Sequence, residues 1–282
     1  MRKLSLYVLL LPLVLSCEDV IDVDVPNTPP RLIVDALVRV DTSLPTTIVR
    51  IKATTSTSFF ETPQPAVLDR LQLQDEVSGN AFFPTETISG SGVYEVPLSS
   101  AGFDTGGRWI LSFTHEDQLY LSFAQFIPTV PLDNVQQGTE TLFDETDTEI
   151  IVSFTDDGSQ EDFYVFDFGF GEYLTVEDEF FNGQPFEFSF FIDAQVIPGQ
   201  TVNVSILGAD KSFFDYVSQL IVQANSGDQG PFQTPAATVR GNIFNVTDID
   251  NIDFFNNVAQ PDNFVLGYFA IVQSFTRSVT IE

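Results

Sequence analysis

The chain contains one histidine and one cysteine, two residue types that commonly serve as general base, nucleophile or soft metal ligand. A closed zinc site or an iron–sulfur cluster needs more such ligands than this, so both are excluded. His115 lies beside Glu116 in a predicted hairpin turn, and no nucleophile or groove accompanies it in the pattern. An exposed turn histidine is therefore favoured over a catalytic base. We expect a protein that is not an enzyme, with a hydrolase that uses paired carboxylates as an alternative.

Clusters of acidic residues offer the oxygen ligands that calcium prefers. Neither of two such clusters has the glycine and glutamate spacing of an EF-hand loop. Solvated loops explain both clusters more simply, because 40 acidic residues in 282 will cluster by chance. No other cofactor is expected. The candidate calcium ligands are Asp156 and Asp157 in one loop, and Asp248, Asp250 and Asp253 in another.

Two loops combine amide, carboxylate and aromatic side chains, and such loops on a rigid scaffold commonly carry recognition. The first is 227–235, which is rich in Gly, Pro and Gln, and the second is 251–263. A ligand site at these loops is therefore the favoured binding hypothesis. Its candidate residues are Phe232 and Gln233 in the first loop, and Phe254, Phe255 and Asn256 in the second.

Acidic residues outnumber basic ones by 40 to 11, which gives a formal net charge of −29. A chain this negative has no basic surface with which to displace the counterions of nucleic acid, so nucleic-acid binding is excluded. Adsorption to anionic lipid is disfavoured for the same reason. Adaptation to a saline habitat explains the charge more simply than cation capture does, because acidic side chains keep a surface hydrated.

The first residues have the pattern of an export signal. Arg2 and Lys3 precede an apolar run from Leu4 to Leu15 that is too short to cross a bilayer. Ser16-Cys17 then resembles a bacterial lipobox, which implies cleavage after residue 16 and lipidation of Cys17. The alternative is an ordinary secretory peptide. Residues 17–30 are predicted to form an acidic tether that anchors the protein in the outer membrane.

Residues 31–131 show short runs of alternating apolar and polar residues and no helical period. Thr46–Thr54 alternates, with Val49, Ile51 and Ala53 on one face. Six or seven such runs predict an immunoglobulin-like or transthyretin-like β-sandwich. The prolines at 128 and 131, with the polar stretch to residue 138, are interpreted as the junction to a second domain.

Residues 132–282 are predicted to form a Phe-rich β domain with one helix near 210–224. Of 29 phenylalanines, 21 lie after residue 141, so this domain needs an aromatic core. The apolar residues of 210–224 recur at helical spacing, and Asn225-Ser226-Gly227 supplies a stop. Two aromatic stripes are interpreted as core packing rather than a ligand platform: Tyr164, Phe166, Phe168 and Phe170 on one strand, and Phe186, Phe188 and Phe190 on another.

A set of motifs then resembles a known family. Arg31-Leu32-Ile33-Val34-Asp35-Ala36-Leu37 follows the tether, and Gly241-Asn242-Ile243 and Gly267-Tyr268-Phe269 lie near the end. This pattern resembles the Bacteroidota lipoprotein family catalogued as a domain of unknown function (number four-two-four-nine). The acidic Glu18-Asp19 after the lipobox resembles the export signal of surface lipoproteins in the same phylum, with a periplasm-facing protein as the alternative.

The family resemblance implies a partner, because members are typically encoded beside outer-membrane TonB-dependent receptors. We therefore expect a lipoprotein that is an accessory or ligand-capturing partner of such a receptor in nutrient uptake. The resemblance implies no catalytic residues. The alternatives are a structural or adhesive surface lipoprotein without a transport role, and the carboxylate-based hydrolase.

Overall fold

The structure is a computed structural model of the whole chain, and it describes residues 29–57, 61–103, 106–141, 147–192, 196–224, 237–252, 259 and 263–282. The fold is mainly β, as predicted. The strands of the first half are β1 (Leu32–Val40), β2 (Thr46–Thr55), β3 (Gln64–Pro65), β4 (Asp69–Asp75), β5 (Ala81–Phe82), β6 (Thr85–Glu86), β7 (Val93–Ser99), β8 (Arg108–His115) and β9 (Gln118–Ile127). Those of the second half are β10 (Leu132–Gln137), β11 (Thr148–Thr155), β12 (Phe163–Asp167), β13 (Tyr173–Glu177), β14 (Pro185–Ile192), β15 (Thr201–Ala209), β16 (Ile243–Asn245) and β17 (Leu266–Thr280), with helix α1 at Lys211–Ala224.

The first core lies inside a curled sheet whose strand order is β5-β4-β8-β9-β17-β1-β2-β7-β6. Strand alternation decides which side chains enter this core. Val49, Ile51 and Ala53 of β2 are fully buried, as the sequence pattern predicted. The sandwich-like β architecture agrees with the prediction at this level, and the finer immunoglobulin-like or transthyretin-like assignment stays a prediction.

The second core is aromatic and lies between the three-stranded sheet β10-β11-β14 and strands β12, β15 and β17. Phe168 stacks on Phe190 with ring centroids 3.8 Å apart, and Phe166 meets Phe188 edge-on at 5.1 Å. The two aromatic stripes therefore pack against each other across the core, as predicted. One member differs: Phe170 is 52% exposed and has φ of +56°, because β12 ends before it.

Strand β17 belongs to both halves of the molecule. Its first part pairs in parallel with β1, and its last part pairs antiparallel with β15. The strand runs without a break over its 15 residues. Strand β16 also pairs with β9 of the first sheet. The boundary near residue 131 stays a prediction, but strands from beyond it complete the first sheet.

The region interpreted as a junction also differs from its prediction. Residues Leu132–Gln137 form strand β10, which pairs with β11. Its polar side chains resemble those of a linker because β10 is an edge strand, with several exposed residues around the buried Leu132. An edge strand of this kind has no clear alternating signal for sequence analysis to detect.

The two signature motifs near the end of the chain meet in space and hold β17 in place. Strands β9 and β17 pair only at residues 126–127 with 271–272 and then diverge. The side chain of Asn242 fills this fork: its Nδ2 donates to Phe269 O at 2.8 Å and to Phe123 O at 3.3 Å, and Phe269 N donates to its Oδ1 at 2.8 Å. The motif residue Asn242 therefore replaces strand pairing with side-chain hydrogen bonds.

The glycines of these motifs permit close backbone approach. Gly267 has φ of +99°, and a Cβ there would lie 1.9 Å from Val34 O of β1. A Cβ on Gly241 would lie 1.6 Å from Gly267 O. Neither position accepts a side chain without moving backbone, so these glycines set how closely β1, β17 and the segment before β16 pack.

Helix α1 packs on the outer face of the sheet, opposite both sandwich cores. It begins after Asp210, whose Oδ1 accepts a hydrogen bond from Phe213 N at 2.7 Å and so caps the helix. Phe213 is buried against a third apolar cluster that includes Val165, Leu207 and Val272. The helix agrees with the predicted 210–224 to within one residue. In the described part of the chain, no helix is long and apolar enough to cross a membrane.

Candidate functional site

A groove of about 730 Å³ lies between α1 and the outer face of the sheet. Its floor comes from β1 and β17, with Val165 of β12 and Leu207 of β15 at one side. One wall is α1, and residues 237–239 contribute to the lining. This volume is within the range of about 300–1,000 Å³ that is usual for small-molecule sites.

The outward face of β1 explains why the floor is apolar. Alternate residues of β1 enter the first core, so Ile33, Asp35, Leu37 and Arg39 point to the opposite face and line the groove. Two of these four side chains are apolar, although they lie on the side of the strand that faces away from the sandwich core. Apolar residues on both faces of a strand indicate that both faces are shielded from water by contacts with other groups.

The wall of the groove is the second half of α1. Val217, Leu220 and Ile221 line the groove, and Leu220 remains 41% exposed. Only Phe213 of the helix is fully buried. The helix is thus fixed to the sheet by its first turn, and its later apolar residues face the groove instead of a closed core.

Two tyrosines and one carboxylate of the lining lie close together. Asp35 of β1 is the register neighbour of Tyr268 on β17, so their side chains lie side by side on the groove floor. Tyr216 of α1 packs on Tyr268 with ring centroids 4.7 Å apart. Burial, with a smaller contribution from the nearby Asp35 carboxylate, raises the pKa of Tyr216 to about 12. Burial also raises the pKa of Tyr268, so both hydroxyls stay neutral donors at physiological pH.

At the other end of β1, Arg39 is already paired. Its Nη2 lies 2.6 Å from Asp167 Oδ2, and both side chains are partly shielded from water. Tyr173 of β13 lies beside this pair, and burial followed by the Asp167 carboxylate raises its pKa. The charge of Arg39 is therefore compensated within the protein. The remaining charged residues among the described lining are Asp35 and Glu172, both acidic.

The groove can bind and orient a small, mostly apolar molecule. Its tyrosine hydroxyls can donate or accept hydrogen bonds, its carboxylates accept them, and its apolar surface excludes water from one side of a ligand. The described lining holds the carboxylates of Asp35 and Glu172 and contains no histidine, cysteine or serine.

The structure places the sequence-predicted residues elsewhere or leaves them outside its description. Cys17, Phe232, Gln233, Asp253 and the trio Phe254, Phe255 and Asn256 lie outside the described residues. Asp248 and Asp250 are exposed, and Asp250 Oδ2 accepts a hydrogen bond from Ala259 N at 3.0 Å. These binding and calcium assignments stay predictions.

The first predicted calcium cluster has a different composition in three dimensions. Asp156 lies with Asp162 and Asp178, each offering one carboxylate oxygen within 4.8 Å of the others, whereas Asp157 is exposed and outside the group. Three carboxylates at this spacing could hold a hard cation. Burial and the neighbouring carboxylates raise the pKa of Asp162.

Hydrogen bonds from the protein nevertheless occupy all three carboxylates, and Asp162 Oδ1 accepts from Gln160 Nε2 at 2.7 Å. Asp156 accepts from Tyr164 Oη and, at 2.6 Å, from Gly183 N. Asp178 Oδ2 accepts from Asp162 N at 3.0 Å and from Asn182 Nδ2 at 3.1 Å. The cluster thereby ties the loops around β12 together. Sequence analysis missed Asp178 because it follows β13, far along the chain from Asp156.

His115 ends β8, and its Nδ1 lies 2.8 Å from Val67 O. Glu116 and Asp117 have φ of +49° and +62°, the backbone of a two-residue hairpin turn, as predicted. The histidine is partly exposed and holds a neighbouring loop.

Sequence analysis also missed the groove itself. Asp35 and Tyr268 were recognised only as parts of family motifs, and Tyr216 only lay within the predicted helix. The available signal was the outward face of β1, where a carboxylate stands between Ile33 and Leu37. That signal became meaningful only when β17 and α1 were placed beside it.

Comparison with solved structures finds a crystal structure of the chicken interferon gamma receptor alpha chain. It is 16% identical, with a match that covers 67% of this chain and 92% of that one at a TM-score of 0.18. A TM-score this low carries no argument. No curated protein matches this chain.

The family predicted from the motifs is confirmed by a match over residues 18–278. This match includes both sandwiches, the groove and the two signature motifs. The protein therefore belongs to the family described as Domain of unknown function (DUF4249).

Proposed function

We propose that the protein is an outer-membrane lipoprotein, anchored through Cys17 and facing the cell exterior, that captures a ligand for a TonB-dependent receptor. It acts by binding, without chemistry of its own. The observation that carries the proposal is the groove between α1 and the outer sheet face, because it has the volume and the apolar lining of a small-molecule site.

The position of the groove relative to the anchor supports this role. Strand β1 begins at Leu32, directly after the tether predicted for residues 17–30, and Ile33 already lines the groove. The ligand site is therefore adjacent to the end of the tether. Tethering beside a receptor raises the local concentration of each partner, so modest affinities for ligand and receptor suffice.

The charge of the chain is compatible with this arrangement. A net charge of −29 disfavours adhesion to anionic lipid headgroups, so the body of the protein is kept off the membrane and the acyl chains alone hold it. Two or more acyl chains make a stable anchor, whereas a single chain is marginal.

The test is a pulldown of the tagged, full-length protein from its native outer membrane in mild detergent, read by mass spectrometry. We expect a TonB-dependent receptor in stoichiometric amount and a diacyl or triacyl group on Cys17. The matched control is Cys17→Ser, which keeps the fold and removes the anchor, and we expect it to leave the membrane fraction and recover no receptor.

Recovery of the lipidated protein alone, under conditions that preserve other receptor complexes, would overturn the transport role. That outcome would favour a structural or adhesive surface lipoprotein instead. Recovery of unmodified Cys17 in a membrane-free fraction would overturn the anchor.

A further inference from the structure

We propose that the α1 groove selects an apolar ligand that carries a cationic group, an ammonium or a guanidinium, and that Asp35 is the residue that receives it. This inference deepens the proposed function, since it rests on the groove being a ligand site and names the chemical class of the ligand.

The first argument is the surroundings of Asp35. It is exposed into the groove, and its register neighbour on β17 is Tyr268. Adjacent strands lie about 4.8 Å apart, so the carboxylate and the aromatic ring form one continuous surface. Tyr216 extends that surface from α1, with its ring 4.7 Å from the ring of Tyr268. A carboxylate beside two aromatic rings is a favourable setting for a desolvated cation, because the ring faces carry negative potential.

The second argument is that no ion pair joins Asp35 to a basic residue in the described part of the chain, although the exposed Lys52 is its register neighbour on β2. The ion pairs there join other residues: Arg39 with Asp167, Arg50 with Glu95, Arg108 with Glu76 and Lys211 with Asp215. The Asp35 side chain accepts a long hydrogen bond from Leu37 N, at 3.4 Å. A neutral apolar ligand that covered this carboxylate would desolvate it without compensation, whereas a cationic ligand compensates it.

The third argument concerns the nearby basic residues. Arg39 in the groove is held by Asp167 at 2.6 Å. Arg31 and Arg240, which flank groove residues in sequence, both stack over the ring of Phe264, at 3.9 and 3.7 Å from its centroid. Arg31 and Arg240 are not among the lining residues, so the described lining carries one positive charge, on Arg39, against the two negative charges of Asp35 and Glu172. An anionic ligand is therefore disfavoured.

The experiment compares three probes that share an octyl chain and differ only in the headgroup: octyltrimethylammonium, octyl glucoside and octyl sulfate. Binding to the purified protein is measured by calorimetry below the micelle concentration and at about physiological salt, which screens long-range attraction to the acidic surface. We expect the ammonium probe to bind one site per chain, about tenfold more tightly than the glucoside, with the sulfate weakest.

Two matched variants separate the site from the general charge of the protein. Asp35→Asn removes the groove carboxylate with little change in shape, and Asp117→Asn removes an exposed charge in the β8–β9 turn of the first sandwich. We expect Asp35→Asn to lose about tenfold in affinity for the ammonium probe, so that it no longer binds this probe more tightly than the glucoside. Asp117→Asn should change either affinity by less than about twofold, because a remote exposed charge is screened.

Equal losses in the two variants, or tighter binding of the sulfate than of the ammonium probe, would overturn the proposal. If Asp35→Asn fails to fold, the headgroup ranking on the unmodified protein still decides it. Receptor recovery in the pulldown together with no preference for the cation would refute this inference alone. A clear cation preference without a receptor would refute the proposed transport role alone.

Discussion

The side chain of Asn242 should be the most sensitive polar group of the scaffold that supports the groove. It bridges the fork between β9 and β17 through three hydrogen bonds, in two of which its Nδ2 is the donor. Asn242→Asp keeps the shape and the acceptor for Phe269 N. It places a carboxylate oxygen against the carbonyl oxygens of Phe269 and Phe123, so both lose their donor.

The expected cost follows from these contacts. A buried carbonyl that loses its partner costs about 1–3 kcal/mol, and the 3.3 Å bond to Phe123 O is the weaker of the two. Asn242 is half-buried, so we expect a total loss of about 3 kcal/mol in the free energy of unfolding. Domains typically have about 5–15 kcal/mol in all, so the variant should fold but be clearly weakened.

The loss should depend on pH in a defined direction. The carbonyl oxygens of Phe269 and Phe123 face the new carboxyl and favour its protonated form. Its pKa in the folded state is therefore raised above the unfolded value of about 3.9. The folded state then binds more protons, and the destabilisation grows as the pH rises through the raised pKa. We expect the cost relative to the parent protein to be smaller at about pH 5 than at about pH 8, by about 1 kcal/mol or more.

The assay is urea unfolding of the parent and the variant at both pH values. The control is Asn134→Asp, which adds the same charge at an exposed position of β10 and should change stability by less than about 0.5 kcal/mol. If Asn242→Asp costs no more than this control, or if its cost is the same at both pH values, the bridging role assigned to Asn242 is wrong.

Two further predictions concern the aromatic core and the groove tyrosine. Phe166→Ala empties part of the fully buried second core and should cost about 3–5 kcal/mol, whereas Phe180→Ala, at an 87% exposed position, should cost less than about 0.5 kcal/mol. Similar urea midpoints for the two variants would contradict the core assignment. Because burial raises the pKa of Tyr216 to about 12, the stability that its neutral form contributes is fully present below about pH 10 and is lost as the pH rises toward that value. Tyr216→Phe should show a smaller loss of stability between these pH values than the parent, and an ultraviolet titration that still shows the same late-ionising tyrosines would contradict the assignment.

The contacts of the two signature motifs divide their roles. Gly241 and Asn242 set the spacing and pairing of the strands, and they do so beneath the groove rather than inside it. Tyr268 lies between them and α1, where it is in contact with Phe213 and Tyr216. The motifs thus fix the orientation of the groove floor.

Local sequence patterns predicted the elements that bury one face. The alternation of Val49, Ile51 and Ala53 predicted a strand and its buried face. Helical spacing before the Asn225-Ser226-Gly227 stop predicted α1. The Phe stripes were predicted as core because a period of two places every second side chain on one face. In each case the deciding interaction is local or depends only on which residues avoid water.

Tertiary structure alone decided the long-range arrangement. Strand β10 resembles a linker in sequence, and its identity as a strand depends on β11. The continuity of β17 through both halves depends on β1 and β15. The local sequence around Gly267 and Thr276 does not indicate which strand each of them pairs with. Asp178 was not predicted as a member of the acidic cluster for the same reason, because its local sequence does not indicate that it lies near Asp156.

The sequence by itself determined the composition of the surface, the aromatic core and the family, because these depend on residue type and local order. It also placed Asp35, Tyr216 and Tyr268 in elements whose type could be predicted. Only the tertiary structure brought these three side chains to one groove, since parallel pairing of β1 with β17 joins residues more than 230 positions apart. Sequence patterns describe which face of an element is apolar, whereas the choice of the partner that covers it is made by the packing of the whole chain.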